Sequence, residues 1–214
     1  MWLFLATEVM FFTGLIGSYI VLRAGSSPTA FSDKYAPTTP LSMIPPDEKV
    51  NFYQWPKPYD TATNPLDIDL TAINTFVLIC SSVTMVLALN AIKLGRPREL
   101  RIFLLLTVLI GCCFLAIQAY EYTHLMFFHH FPIGVSADGH FRPSTSLFGS
   151  CFFTMTGFHG AHVTGGVILL TCILIQACLG TYTPTHHSPV ELAGLYWHFV
   201  DLVWIILFTV VYLI

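Results

Sequence analysis

Glu8, Gln118, Glu121, His159, His162, His198 and Asp201 interrupt stretches of sequence that are otherwise hydrocarbon. His159 and His162 stand three apart in GFHGAHVTGG (Gly157 to Gly166), and His198 and Asp201 stand three apart in YWHFVDLVW (Tyr196 to Trp204). On a helix that spacing puts each pair on one face. An unpaired ionisable group among apolar side chains costs several kcal/mol, so each of these residues needs a partner or a task. Three kinds of chemistry fit. Carboxyls and imidazoles at this spacing can hand on protons. His159 or His162 opposed to His198 on a second helix could ligate a haem iron, provided there is room between the helices. The plainest reading is a polar seam of neutral, mutually hydrogen-bonded groups inside a bundle.

The elements that position these residues follow from composition. Of 214 residues, 55% are apolar and 10% charged, against about a quarter charged in a typical soluble domain. A spanning helix needs about 20 mostly apolar residues, and five stretches qualify, at about 1–23, 71–93, 101–128, 146–179 and 190–214. The expectation is an all-α membrane protein, a bundle of five transmembrane helices forming one unit over 1–214. The first span, MWLFLATEVMFFTGLIGSYIVLR, is too long for a signal-peptide core and reads as a retained helix. Glu8 falls roughly 10 Å along its axis, deep enough to make it a functional candidate. Cys80, Cys112, Cys113, Cys151, Cys172 and Cys178 all lie inside spans, as small packing residues rather than a disulfide framework.

Lys93, Arg96, Arg98 and Arg101 crowd the joint between spans two and three. By the positive-inside rule that joint faces the cytoplasm. Loops 24–70 and 129–145 then face outward, the joint at 180–189 faces inward, and the C-terminus lies outside. Topology accounts for the basic residues, and nothing points to nucleic acid. The loop 24–70 reads either as a flap on the outer face or on another subunit, with Phe52, Tyr53, Trp55 and Tyr59 as interfacial anchors, or as a floppy insertion. Asp67 and Asp69 suit the N-terminus of span two. Ser81, Ser82 and Thr84 suit bonds to their own backbone or across a helix interface. Gln118, Glu121 and Tyr122 close span three, with His124, His129 and His130 at its solvated edge. In span four, glycines among Gly157, Gly160, Gly165 and Gly166 form, with Ala161, a small face on which another helix can lie close.

Several of these stretches together resemble a known family. GSCFFTMTGFHGAHVTGG followed by ELAGLYWHFVDLVWIILFTVVY resembles subunit III of the haem-copper terminal oxidases. EVMFF around Glu8, NPLDIDLTAINTFVLICSSVT and FLAIQAYEY are similar to that family's other helices, in the same order. Common versions have seven spans, and this chain looks like the five-span bacterial form. The resemblance implies an accessory chain without a redox centre of its own, which binds no cofactor itself. Haem and copper belong to the partner subunits I and II. Phospholipid lies between the helices, and the subunit supports proton uptake and protects the oxidase during turnover. A cytochrome c or another respiratory complex is a further possible partner, and the bacterial plasma membrane is the implied location.

By the same resemblance Glu8 is the carboxylate that reacts with hydrophobic carbodiimides. Glu121 joins it as an intramembrane group linked to protons or lipid. Gln118, His159, His162, His198 and Asp201 make up the polar helix network. The stretch LIQACLGTYTPTHH departs from family members that place lipid-binding basic residues there. Rival readings are a quinol oxidase subunit III, a subunit III-like partner of a nitric oxide reductase, a membrane cytochrome in its own right, or a small transporter.

Overall fold

The computed structural model describes residues 1–25, 66–128, 141, 143 and 147–213. The four aromatic anchors expected in loop 24–70, together with His129 and His130, lie outside the described residues. Five helices long and apolar enough to cross a membrane make up nearly all of the described chain. They are α1 (Trp2–Gly25), α2 (Ile68–Lys93), α3 (Pro97–Thr123), α4 (Leu147–Cys178) and α5 (Ser188–Phe208). Each lies within a few residues of its expected span. The chain is a multi-pass membrane protein.

Local chemistry sets the helix ends. Asp67 caps α2, its side chain accepting from the Leu70 amide at 3.1 Å, and Asp69 follows in the first turn, where the dipole favours acids. α2 ends on Gly95, at φ 71°, with the Arg96 amide returning to the Ala91 carbonyl at 2.9 Å. α4 ends in the same way on Gly180, at φ 77°, with the Thr181 amide reaching the Gln176 carbonyl at 3.1 Å. Only glycine takes that left-handed step without strain. Both turns sit at one end of the bundle. Lys93 Nζ spans them to Glu191 Oε1 at 2.8 Å. At the other end α3 and α5 each run into a π-helical turn, His124–Phe128 and Thr209–Leu213.

α2, α3, α4 and α5 form a ring, each packed on the next and α5 closing on α2, while α1 leans on α4 and α5. The middle of this ring is held by one side chain. The Trp197 indole, 1% exposed, lies between Gly111 of α3 and Gly166 of α4 and donates from Nε1 to Ser81 Oγ of α2 at 2.8 Å. A Cβ at Gly111 would sit 2.7 Å from the ring, and one at Gly166 would sit 2.9 Å from it. Those glycines therefore make room for an indole. That revises the expectation for span four, where the glycines were read as a seat for a neighbouring helix. Gly160 likewise receives the Gln118 amide, and Ala161 is exposed. Cys112, Cys113, Cys172 and Cys178 are exposed on the bundle's outside, so those four are not interior packing residues.

α1 is bound more lightly. Its buried residues, Leu5, Phe12 and Tyr19, recur one heptad apart, the narrow seam of coiled-coil packing. Glu8 falls on that seam between Leu5 and Phe12. Gly14 and Gly17 face open space.

Adding one methyl group distinguishes these environments. Gly111→Ala or Gly166→Ala overpacks the indole and is expected to lower stability by about 1–3 kcal/mol. Gly14→Ala meets nothing and should be neutral or stabilising by up to about 1 kcal/mol through helix propensity. Thermal unfolding in detergent measures both.

Candidate functional site

The seam position of Glu8 aims its carboxylate at α4. Glu8 Oε2 lies 2.7 Å from His162 Nε2, with the two side chains 18% and 19% exposed. The other ring nitrogen, Nδ1, lies 2.7 Å from the Phe158 carbonyl oxygen one turn earlier. A carbonyl can only accept, so Nδ1 carries a proton. One further proton then occupies the line between Nε2 and Oε2. It can sit on the carboxyl, with neutral histidine accepting, or on the ring, facing a carboxylate. Both arrangements have zero net charge, and moving between them displaces a proton without creating a charge in hydrocarbon. Phe12 and Phe11 flank the ring, with centroids 5.1 Å and 6.4 Å away.

The remaining polar residues hold other joints. Asp201 Oδ2 accepts from Ser82 Oγ across the α2–α5 interface at 2.6 Å. Glu121 Oε1, buried at one end of the bundle, accepts from the Tyr212 hydroxyl at 3.2 Å and meets Thr71 Oγ1 at 3.2 Å. Gln118 Nε2 donates to the Thr156 carbonyl of α4 at 3.0 Å. Tyr122 OH and Thr156 Oγ1 are 2.5 Å apart, and Thr156 Oγ1 also contacts the Phe152 carbonyl at 2.6 Å. Trp204 Nε1 donates to Thr75 Oγ1 of α2 at 2.9 Å. Thr84 meets Thr107 of α3 at 2.7 Å.

One pairing expected from spacing differs in the structure. His159 is fully buried and stacks on Trp204, with centroids 4.8 Å apart, whereas His162 turns to α1. Residues three apart on a helix point in neighbouring directions rather than the same one, and the groove between helices separates these two rings. Asp201, expected to be held by His198 or by a facing helix, is held by the facing helix through Ser82 of α2, and among the described residues no hydrogen bond joins it to His198. The polar groups thus serve separate helix joints rather than one seam.

For haem ligation the geometry is unsuited. Both nitrogens of His162 are engaged, and His159 is packed between the Trp204 and Phe114 rings. Among the described residues no group of three or more His, Cys, Asp or Glu is placed to hold a metal ion. What the arrangement can do is fix helices to one another and hold a mobile proton at Glu8–His162. Sequence reasoning passed over Gly111, Trp197, Asn74 and Tyr212. Trp197 and Trp204, one heptad apart in the last span, were the available signal for the α2–α5 face.

Comparison with known proteins supplies what geometry does not. The family model for cytochrome c oxidase subunit III matches residues 1–214. A cytochrome c oxidase subunit 3 from Alkalihalophilus pseudofirmus is 32% identical over 212 residues, covering 99% of this chain and 84% of the relative. One from Synechocystis is 36% identical over 213 residues, covering 99% and 73%. One from Gallus gallus is 34% identical over 210 residues, covering 98% and 66%.

The proton arithmetic at Glu8 separates substitutions that look alike. In Glu8→Gln the amide donates to neutral His162 and keeps the bond, so α1 stays docked. Glu8→Leu leaves Nε2 without a donor, at a cost of about 1–3 kcal/mol. Hydrogen–deuterium exchange of α1 amides should rise in the leucine variant and stay near wild type in the glutamine variant. Ser82→Ala strips Asp201 of its partner and should destabilise the α2–α5 joint by about 1–3 kcal/mol, seen as a lower unfolding temperature.

Proposed function

This chain belongs to the cytochrome c oxidase subunit III family and is an accessory subunit of a haem-copper oxidase in the respiratory chain, and on that premise we propose what its parts do there. The chain packs beside subunits I and II, which carry the haem and copper, in a bacterial plasma membrane. It steadies the catalytic subunit, helps protons enter it and holds phospholipid. Glu121 and the polar positions Gln118, His159, His162, His198 and Asp201 serve mainly to fix the helices that present Glu8.

The observation that carries this reading is the Glu8–His162 contact of 2.7 Å with Nδ1 tied to Phe158. A carboxyl–imidazole pair that shares one proton can accept or release it with little rearrangement. It stands in the groove between α1 and α4, partly exposed, where the exposed apolar flank of α1, including Met10 and Phe11, offers a surface for acyl chains. The ring of α2 to α5 supplies the rigid support against which such a pair keeps its geometry.

An oxidase purified without this chain should keep its haem absorbance and lose activity progressively as it turns over. Loss of the haems with the chain would overturn the accessory reading. In the complete oxidase, Glu8→Leu should speed that decay several-fold and Glu8→Gln less. If Glu8→Leu decays at the wild-type rate, Glu8 has no part in proton entry.

A further inference from the structure

Among the apolar clusters of the bundle lie buried polar groups whose unpaired atoms the subunit reading does not use. One cluster contains Leu78, Phe114, Val163 and Trp204, and the other contains Phe152, Met155, Val203 and Leu207. On α4, His159 comes between Met155 and Val163. It is 0% exposed, and neither ring nitrogen has a hydrogen-bond partner. From α2 comes Asn74, 2% exposed, whose Nδ2 reaches the Phe114 carbonyl at 3.5 Å while Oδ1 has no partner. From α3 comes Gln118, 6% exposed, whose Nε2 serves the Thr156 carbonyl while Oε1 has no partner.

Packed rings and neighbouring residues link these groups. The His159, Phe114 and Trp204 rings lie within 6.0 Å of one another, centroid to centroid. Trp204 bonds Thr75, the neighbour of Asn74, and the Gln118 amide lies against Gly160, the neighbour of His159.

Counting protons shows what the layer lacks. A neutral imidazole has one N–H donor and one acceptor nitrogen. The layer therefore holds three acceptors, the two amide oxygens and the ring nitrogen, against two donors, the ring N–H and the second N–H of Asn74, since the Gln118 amide already serves Thr156 and Tyr122. Even if both donors meet acceptors of the layer, one acceptor stays without a proton. Leaving it buried and unpaired costs about 1–3 kcal/mol. A water molecule has two protons to give and closes that deficit, as buried waters do when several polar partners surround them. We propose that the layer between Asn74, Gln118 and His159 is an internal water-binding site in the centre of the membrane bundle, bridging α2, α3 and α4. The water fixes the protonation of His159 to one nitrogen and completes the three-helix junction beside Trp204.

A doubly protonated His159 would leave no acceptor without a proton even in a dry layer, so the test must distinguish the two. A map of the assembled oxidase at a resolution that shows ordered solvent should contain density within about 3 Å of an amide oxygen of Asn74 or Gln118 and of a His159 nitrogen. Nitrogen-15 spectra of histidine-labelled complex should show His159 with one protonated and one bare nitrogen. A dry layer overturns the proposal, as does a His159 with both nitrogens protonated. In Asn74→Leu oxidase that still assembles, the solvent density should be lost, and unchanged density would also overturn the proposal. If that variant fails to assemble, the wild-type map and spectrum decide the matter by themselves.

Discussion

The Trp197 indole, inserted between two glycines and bonded to Ser81, is the contact on which the rest of the bundle depends. One flat side chain sets the separations of four helices at once. Its faces and edge fix α3 and α4 at the distance that a missing Cβ allows, and its N–H ties α5 to α2. Aromatic burial provides much of the packing energy. In a membrane, where lipid is as apolar as leucine, close packing and interhelical hydrogen bonds are what hold helices together. With that centre in place, Asp201 and Trp204, about one and two turns further along α5, meet Ser82 and Thr75 in antiparallel order along α2. A helix shifted by one residue would lose all three bonds together.

The same medium explains why α1 behaves differently. Among the described residues no indole clamp holds it; it docks by a heptad seam, by ring contacts of Phe4 with Tyr196 and of Phe11 with Phe158, and by the Glu8–His162 pair. Its outward side is open even at Gly14 and Gly17. The element that presents the ionisable pair is therefore the one least restrained by the bundle, and the pair itself supplies an important share of its docking. On the proposed reading, a group that both anchors a helix and shares a proton couples the position of α1 to that proton. In the rigid ring, by contrast, the polar contacts serve mainly to keep distances constant.

Much of this was legible in the sequence, and the parts that were not share a cause. The five helices were readable because hydropathy over a window reports the solvent, and lipid allows little except helices. The N-terminal acids of α2 and the cross-helix role of Ser81, Ser82 and Thr84 were readable because they depend on local geometry and small size. The pairings were harder. His159 and His162 were singled out, yet spacing says only which residues share a side of one helix and nothing about which helix lies across from them. Gly111, alone in its span, had a close approach to make, but only the tertiary structure shows that the visitor is Trp197. The glycines after Thr156 were noticed for their smallness, and whether smallness admits a backbone or a side chain is again decided by the partner.

Tyr212 shows the limit in its sharpest form. Trp197 and Trp204 are one heptad apart, and continuing that step along an α-helix reaches Val211 rather than Tyr212. The helix does not continue as α. Over Thr209–Leu213 it widens into a π turn, which takes up one extra residue. Within that turn Val211 and Tyr212 are both buried, and it is Tyr212 that faces α3. There its hydroxyl meets Glu121 at 3.2 Å, just before α3 enters its own π turn at His124–Phe128. An acid buried at the end of two helices needs donors, and Tyr212 supplies one from within a π turn. Periodicity arguments that assume a constant pitch do not reach that contact.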